Sequence, residues 1–488
     1  MGMADIVLAT FNARYEHCSF GLRCLMANLG ELAPRAAMLE FNLDLRTPEA
    51  AEAILALEPR IVGLGVYVWN AVECGKLAAE LKRLRPDLIL VLGGPEVSYE
   101  TSEQAICRDA DFVIKGEGEI SFAVLCRGLI SGEKPPEKFI STPPPDPASL
   151  ALPYGLYTDE DIASRVIYAE ASRGCPFACE FCLSSLDKGV RCFPLDRLFA
   201  AWDKLLSRGT RGFKFTDRTF NLDIERAAAI LNFFLGRYRP GLFLHFEMVP
   251  DRFPEELYSI VKKFPAGSIQ LEVGVQTFNE AAAARIGRRQ DSAAAEKNIS
   301  RLRRETSAYI HADLIIGLPG EDLASFAAGF DRLFALDPQE IQVGVLKRLR
   351  GAPIARHDAE WGMVYSPYPP YELRRSGLLD FFTMQRLRRF ARYWELISNS
   401  GVFSGTSRLI CAGPSPFNNF LALSDWLYAR TGQTHAIARA RLRGLLGAYL
   451  TEVLKYPAGQ VTSLAETDAK NAARGSGGAK RQARRLAE

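Results

Sequence analysis

The sequence predicts an α/β protein with two parallel sheets, followed by a mostly helical region. Strand-like runs alternate with helical patterns up to about residue 350, which is typical of parallel strands joined by helices. The runs are nearly continuous apolar stretches, as expected for strands covered on both faces. Residues 131–158 form a proline-rich linker between the two sheets, because proline stiffens a chain and disfavours helix and sheet.

Residues 1–130 predict a Rossmann-like, doubly wound parallel sheet. Its five expected strands lie at residues 5–10, 36–41, 60–67, 88–94 and 111–115. Ligands of such sheets bind at the carboxyl ends of the strands, where glycine permits close approach to the backbone. The dinucleotide fingerprint G-x-G-x-x-G does not follow the first strand. The marked residues at these strand ends are Asn12, Tyr15, Tyr67, Trp69, Gly93, Gly94, Pro95, Gly116 and Glu117.

Residues 159–352 contain six further strand-like runs, each followed by a helical pattern. These runs lie at 166–171, 212–216, 242–247, 269–275, 309–316 and 340–346. Six units are too few for a closed eight-stranded barrel, and functional groups are expected at the carboxyl ends of the strands. The residues at those ends are Asp217, Glu247, Gln276, Gly317, Lys347 and Arg350. His245 and His311 lie inside strands, so we expect packed core histidines.

Three cysteines follow the first of these runs. Cys175, Cys179 and Cys182 have the spacing C-x3-C-x2-C, so their thiolates can share one inorganic centre. Iron–sulfur clusters are usually held by four cysteines, and a set of three leaves one iron open to a substrate or cofactor. A structural zinc site, or three unrelated thiols, are the alternatives. Zinc normally takes four ligands, and Cys192 is the only nearby candidate for a fourth.

The cysteine spacing, with Phe181 before the last cysteine, resembles the signature of radical S-adenosylmethionine (SAM) enzymes. The resemblance implies an open (β/α)6 partial TIM barrel and a 4Fe–4S cluster whose open iron binds SAM. Reductive cleavage of SAM would then yield a 5′-deoxyadenosyl radical. The resemblance also implies SAM contacts from Phe181, Asp217, Glu247, Gln276 and Gly317. For Asp217, an Asx turn or helix cap is an equal alternative.

Residues 1–130 resemble the cobalamin-binding domain that precedes many radical SAM barrels, through Gly93-Gly-Pro and Gly116-Glu-Gly-Glu. The resemblance implies that the marked residues of the first sheet bind cobalamin, with Lys347 and Arg350 as possible substrate or corrin contacts or a solvated basic turn. The histidine motif Asp-x-His-x-x-Gly is not matched around His17. We therefore expect cobalamin without a histidine ligand, and His17 as a loop residue. Tyr67 or Trp69 could shield the lower face, or Trp69 could pack between domains.

Residues 353–456 predict a loop and helical domain. The aromatic, proline-rich stretch 361–370 predicts an extended loop over the barrel mouth, and 371–400 and 418–454 have helical spacing. This arrangement resembles a C-terminal domain of unknown function shared by some cobalamin-type radical SAM proteins. Residues 457–488 predict a disordered basic tail, because residues 470–488 hold six Lys/Arg and one acid.

The composition is that of an ordinary globular protein. No run approaches the ~18 apolar residues of a membrane span, and the first residues lack the basic and apolar regions of a signal peptide. Apart from the triad, the ten cysteines are scattered, which favours a reducing, cytoplasmic location. We expect a reductant of the flavodoxin or ferredoxin type, a small-molecule or peptide substrate, and neither membrane nor nucleic acid as partner.

These features predict a cobalamin-dependent radical SAM enzyme, most simply a methyltransferase that activates a carbon centre. One alternative is radical rearrangement or cyclisation without methyl transfer, as in the anaerobic magnesium-protoporphyrin ester cyclase lineage. Another is a cobalamin- or redox-sensing regulator without turnover. A methylthiotransferase is disfavoured, because no second cysteine triad stands upstream.

Overall fold

The computed structural model describes residues 3–475. It has a six-stranded parallel sheet, a second six-stranded parallel sheet that forms an open barrel, and a helical C-terminal region. The predicted fold class is therefore confirmed. None of the helices within these residues is long and apolar enough to cross a membrane.

The first sheet has the strand order β2-β1-β3-β4-β5-β6. Its strands are β1 Ile6–Asn12, β2 Ala36–Asn42, β3 Ile61–Gly65, β4 Ile89–Gly93, β5 Phe112–Lys115 and β6 Phe139–Ser141. Its helices are α1 Phe20–Ala27, α2 Thr47–Leu55, α3 Ala71–Leu84, α4 Ala105–Asp109 and α5 Glu119–Ser131. The prediction that residues 131–158 contain no sheet is wrong for β6, which pairs with β5. The prolines flank this edge strand rather than interrupt it, as edge positions allow.

The second sheet has the order β14-β13-β12-β11-β10-β7, so β7 and β14 are the edges of an open barrel. Its strands are β7 Ile167–Ala169, β10 Gly212–Phe215, β11 Phe243–Met248, β12 Ile269–Gln276, β13 Tyr309–Ile316 and β14 Glu340–Val345. Helix α6 Asp159–Ser164 precedes the barrel, and the short strands β8 Ser172–Arg173 and β9 Arg191–Cys192 pair after β7. The outer helices are α7 Leu195–Ser207, α8 Ile224–Leu235, α9 Glu255–Val261, α10 Glu280–Arg285, α11 Ser292–Glu305 and α12 Leu323–Ala335.

The C-terminal region packs against the edge strand β14. It contains the two-stranded hairpin β15 Val364–Tyr365 and β16 Leu373–Arg375, and the helices α13 Phe381–Trp394, α14 Ser404–Ile410, α15 Pro416–Thr431, α16 Arg439–Ala448 and α17 Ala458–Gly475. The Asn399 side chain hydrogen-bonds both the backbone N–H and the carbonyl of Ile341 in β14, at 3.3 and 3.0 Å. The open edge of the barrel is thus covered, as unpaired strand edges require.

Two expectations for this region are corrected. Residues 371–380 are not helical, because β16 pairs with β15 in the hairpin. Residues 458–475 form α17 instead of a disordered tail, and residues 476–488 lie outside the described residues. The carboxylate of Asp468 in α17 accepts the N–H groups of Gly405 and Thr406 at 2.7 and 3.0 Å, which ties this helix to α14.

Buried ion pairs join the first sheet to the barrel. Arg23 of α1, which is 1% exposed, lies 2.9 Å from both Glu40 and Asp161. In a second contact, Arg350, which follows β14, lies 3.0 Å from Glu96 and 3.1 Å from Glu100. The first sheet's domain and the barrel therefore meet through two sets of ion pairs, and a cavity is lined by residues of both.

Candidate functional site

The cysteine loop lies at the carboxyl end of β7. Its turn requires glycine, because Gly174 has φ +89° and a Cβ there would lie 2.1 Å from the carbonyl oxygen of Gly189. The Cys175 N–H donates to the Asp187 carbonyl at 2.9 Å. The Glu180 carboxylate lies 2.8 Å from His357 Nε2 and also contacts Arg356. The loop is thus held by its own turn and by the segment after β14.

The three predicted cysteines line one cavity of about 230 Å³, which we call the cysteine cavity. Its other chemically notable lining residues are Phe181, Arg218, Glu247, Glu272, Gln276, Arg288 and Asp313. Burial raises the pKa of the Cys175 thiol, and the neighbouring cysteines add to this effect. Burial also raises the pKa of Cys179, while Arg288, whose Nη1 donates to the sulfur at 3.5 Å, lowers it. Three thiols that line one cavity fit an inorganic centre.

Phe181, Glu247 and Gln276, three of the expected SAM contacts, line the cysteine cavity. Glu247, at the end of β11, accepts a hydrogen bond from Arg218 Nη1 at 2.7 Å. Burial raises the pKa of Glu247, and Arg218 partly offsets that rise. Gln276 ends β12 with φ +69°, a conformation uncommon for a residue other than glycine.

Two predicted residues lie elsewhere. Asp217 is 2% exposed, and its carboxylate accepts the Ala171 N–H at 2.9 Å and the Ser172 hydroxyl at 2.6 Å. It is therefore bound to the start of the cysteine loop rather than open to the cavity. Gly317 faces the C-terminal region, because a Cβ there would lie 2.4 Å from Leu373 Cδ2. Both residues lie at the predicted carboxyl ends of barrel strands. The sequence, however, does not indicate which distant segments they contact.

His245 and His311 are buried inside the barrel, as expected, but among charged groups. His245 Nε2 lies 2.9 Å from Glu272, and His311 Nε2 lies 3.0 Å from Asp313. Burial alone would lower the pKa of His311, but Asp313 and Glu340 outweigh it and raise this pKa to about 10. The barrel interior that borders the cysteine cavity therefore contains two histidine–carboxylate pairs.

A larger cavity of about 670 Å³ lies between the first sheet and the barrel, and we call it the interdomain cavity. Its volume is in the range of small-molecule and cofactor sites. Six predicted residues line it: Tyr67, Gly93, Gly94, Pro95, Gly116 and Glu117. Gly94 has φ +108°, and a Cβ there would lie 2.4 Å from the Val66 carbonyl oxygen. At Gly116 a Cβ would meet no atom within 4 Å, so glycine leaves open space in the wall.

Arg173 of the cysteine loop links the two sides of the interdomain cavity. Its guanidinium lies 2.9 Å from Glu117 and 2.7 Å from Glu119 of the first sheet's domain. It also lies 2.6 Å from Glu170, at the end of β7. Burial raises the pKa of Glu170 to about 7, although Arg173 opposes that rise. Arg191 pairs with Glu117 from the other side, at 2.5 Å.

The remaining candidates of the first sheet lie outside the interdomain cavity. Asn12 donates to Glu40 at 3.0 Å, and the exposed Tyr15 donates to Glu160 at 2.7 Å. His17 Nδ1 lies 2.7 Å from the Tyr168 hydroxyl. The ring of this loop residue therefore contacts the barrel at the domain interface. Trp69 is 49% exposed and stacks on Tyr67 with ring centroids 4.4 Å apart. Trp69 is thus half-exposed, and it contacts the interdomain cavity through Tyr67, which lines that cavity.

The basic turn after β14 also lies outside both cavities. Lys347 is exposed and its backbone bridges to Glu372. Arg350 is bound to Glu96 and Glu100, so it joins the domains. Conversely, sequence reasoning assigned no role to Arg173, Arg218 or Arg288. Arg218 stands beside the predicted Asp217, and its place at a strand end was the available signal.

Comparison with known proteins agrees with this geometry. The family model described as "B12 binding domain" matches residues 6–125, and the model "Radical SAM superfamily" matches residues 170–333. The model "Protein of unknown function (DUF4080)" matches residues 359–468. The matched regions correspond to the first sheet, the barrel and the C-terminal region.

Individual relatives are more distant. An uncharacterised methyltransferase of Pyrococcus horikoshii is 29% identical over 38% of this chain and 46% of its own. The cobalamin-dependent radical SAM methyltransferase TokK of Streptomyces tokunonensis is 24% identical over 63% of this chain and 49% of its own. The chain thus spans about half the length of these curated relatives.

A solved structure shares the fold. The radical SAM methyltransferase TsrM from Kitasatospora setae, solved with cobalamin and a [4Fe–4S] cluster, has a TM-score of 0.59 at 18% identity, over 73% of this chain and 78% of that chain. A B12-binding domain takes cobalamin, and a radical SAM domain takes a 4Fe–4S cluster and SAM. These three are therefore the cofactors of the chain. The matches, the two parallel sheets and the cysteine loop show that the chain contains a B12-binding domain, a radical SAM domain and a C-terminal DUF4080 domain.

Proposed function

We propose that the protein is a cobalamin-dependent radical SAM methyltransferase that methylates a carbon centre of a small molecule or peptide. When bound, the cofactors supply a carbon-activating 5′-deoxyadenosyl radical and a transferable methyl group. The relatives named as methyltransferases support this activity. Radical rearrangement or cyclisation without methyl transfer, and a sensor without turnover, remain the alternatives that the experiment below must exclude.

One observation carries the proposal. The cysteine cavity and the interdomain cavity adjoin, because Arg218 lines both of them. A substrate at their junction would contact both cofactor sites. Holding reactants side by side in this way can supply a large part of the rate acceleration of a two-reactant step.

The site assignments follow from the two linings. We propose that Cys175, Cys179 and Cys182 hold the cluster, and that Phe181, Glu247 and Gln276 contact SAM. Cobalamin would be held by the six residues that line the interdomain cavity, namely Tyr67, Gly93, Gly94, Pro95, Gly116 and Glu117. Arg173 would position the cysteine loop against this wall. Asp217, Gly317, Asn12, Tyr15, Trp69, Lys347 and Arg350 are not assigned cofactor contacts, because their positions lie outside the two cavities.

The electron source and the compartment belong to the same proposal. SAM cleavage needs an electron, which we assign to a small reductant of the flavodoxin or ferredoxin type. The cysteines are free in the structure, which supports a reducing compartment such as the cytoplasm.

The test is anaerobic reconstitution with iron, sulfide and hydroxocobalamin, then addition of reductant, SAM with a deuterated methyl group, and an extract of native cells. Retained corrin, 5′-deoxyadenosine, S-adenosylhomocysteine and a product with the deuterated methyl group are expected. Deoxyadenosine without labelled product would favour rearrangement or cyclisation. A variant with Cys175, Cys179 and Cys182 changed to Ala should lose iron and deoxyadenosine, whereas the exposed Cys192→Ala control should keep both. Undiminished biological activity of the triple variant would support the sensor.

A further inference from the structure

Arg218 occupies a unique place between the two cavities. Within residues 3–475 it is the only residue that lines both the cysteine cavity and the interdomain cavity. It lies three residues after the end of β10, next to the buried Asp217, which hydrogen-bonds Ala171 and Ser172. The guanidinium therefore marks the point where a substrate would face both cofactor sites.

Most of its hydrogen-bonding capacity faces open space. A guanidinium carries five N–H donors. In the described part of the chain, Arg218 makes one side-chain hydrogen bond, from Nη1 to Glu247 at 2.7 Å. The side chain is 52% exposed, although it lies inside the molecule. The exposed donors thus point into cavity space and can accept a further partner without breaking the existing ion pair.

Among the described residues that line the interdomain cavity, every carboxylate already pairs with another arginine. A ligand is therefore the candidate partner for the open donors of Arg218. The carboxylates in its lining are Glu117, Glu119, Glu170 and Asp187. Arg173 pairs with the three glutamates, and Arg191 pairs with Asp187 at 2.5 Å. The one ion-pair partner of Arg218 in residues 3–475, Glu247, belongs to the other cavity. Arg218 is therefore the cation of this wall whose charge the wall itself does not balance.

We propose that the substrate carries an anionic oxygen group, a carboxylate or phosphate, which Arg218 binds between the two cofactor sites. This inference rests on the proposed function and names the substrate class of the same site. Arginine suits the role, because its planar fork matches carboxylate and phosphate oxygens with paired hydrogen bonds. A neutral substrate would leave several N–H donors unpaired in a site from which it displaces water, which is costly.

The test compares the reconstituted wild type with Arg218→Met, which keeps the length of the side chain and removes its charge. Each receives SAM with a deuterated methyl group, reductant, and native-cell extract separated by anion exchange into retained and unretained fractions. Labelled product should arise from the anionic fraction, and Arg218→Met should form it about 10- to 100-fold more slowly, the loss expected for a charged hydrogen bond. Iron and corrin contents after reconstitution should equal those of wild type, and the product rate is compared per deoxyadenosine formed, because Arg218 also pairs with Glu247 of the proposed SAM site. Arg218→Lys should recover part of the product rate.

The other outcomes overturn the inference in distinguishable ways. A labelled product from the unretained fraction alone, or equal product rates for Arg218→Met and wild type, would exclude an anionic substrate held by Arg218. Loss of bound iron or corrin in Arg218→Met, or an equal fall in deoxyadenosine and labelled product, would place Arg218 in cofactor binding instead. If wild type forms deoxyadenosine but no labelled product from any fraction, the methyltransferase proposal itself falls.

Arg46→Met, at an exposed arginine distant in sequence, is the matched control and should behave as wild type.

Discussion

Arg173 Nη1 lies 2.9 Å from the carboxylate of Glu117, and this pair joins the cysteine loop to the glycine-rich edge of the first sheet. The two residues stand 56 positions apart in the chain. Arg173 directly precedes the turn at Gly174 that leads to Cys175, and Glu117 lines the interdomain cavity. The Arg173 guanidinium therefore connects the cysteine loop directly to the wall of the interdomain cavity.

Arg173→Met should destabilise the protein and weaken corrin retention. It leaves Glu119 and Glu170 without their cation, while Glu117 keeps its pair with Arg191. Removing one partner of a buried ion pair typically costs ~3–5 kcal/mol. The melting temperature and the corrin-to-protein ratio after reconstitution measure the two effects. Arg46→Met, which removes an exposed pair with Glu49, should change neither. Adding Glu170→Gln to Arg173→Met should restore part of the stability, because one uncompensated charge disappears. Identical behaviour of the two methionine variants would contradict the prediction.

Asp217→Asn should loosen the cysteine loop rather than reduce SAM affinity. The carboxylate accepts two donors, the Ala171 N–H and the Ser172 hydroxyl, and the asparagine amide can accept at only one of its two positions. The expected loss is ~1–3 kcal/mol, the cost of leaving a buried donor unpaired. The melting temperature and the iron content should both fall, while the SAM affinity of the cluster-loaded fraction should equal that of wild type. Asp196→Asn, at an exposed site in α7, is the control. Weakened SAM binding with normal stability would instead make Asp217 a SAM ligand.

The contrast between Asp217 and the cysteines shows what the sequence could predict. The cysteine triad and the Gly93-Gly-Pro segment are short contiguous motifs at strand ends, and each is placed as predicted without knowledge of its distant contacts. Asp217 also stands at a predicted strand end, but its role depends on donors from residues 171 and 172. The position of Asp217 at a strand end therefore does not reveal whether its carboxylate binds a ligand or neighbouring groups of the chain.

Contacts between domains account for the other differences. Arg350 and Tyr15 look available in the sequence, yet they are bound to Glu96 and Glu160 from other parts of the fold. Arg173 was not singled out, because its three acidic partners come from two domains. Helix α17 was missed since its packed face depends on few residues, among them Val461 and the buried Asp468, within a polar and alanine-rich stretch.

Gly94→Ala should destabilise the first sheet strongly, whereas Gly93→Ala should not. At Gly94 the new Cβ would lie 2.4 Å from the Val66 carbonyl oxygen, and φ is +108°. A backbone atom cannot move aside as a side chain can, so the β4 turn must shift. At Gly93 the nearest atom to a new Cβ is 3.8 Å away, an ordinary contact. Melting temperatures and corrin retention of the two variants form a matched comparison one residue apart. Equal melting temperatures would refute the argument.

Glu321→Gln should change how stability depends on pH. Glu321 is 3% exposed, Thr277 donates to its Oε1 at 2.5 Å, and its Oε2 has no hydrogen-bond partner among the described residues. Burial raises its pKa to about 7, from about 4.3 in an unfolded chain. A raised acid pKa means that the folded state favours the protonated form. This group's stabilising contribution is therefore complete below about pH 4, falls as the pH rises, and is lost above about pH 7.

The variant cannot titrate at this position, so its stability relative to wild type should rise between pH 5 and pH 8. The shift in pKa corresponds to a total of ~4 kcal/mol, at 1.36 kcal/mol per pKa unit. The glutamine brings an unpaired N–H at every pH, so the relevant quantity is the change with pH of the difference in melting temperature, not its absolute value. Glu137→Gln, at an exposed loop position, should show a constant difference. A constant difference for Glu321→Gln as well would mean that this buried carboxyl group does not titrate between pH 5 and pH 8.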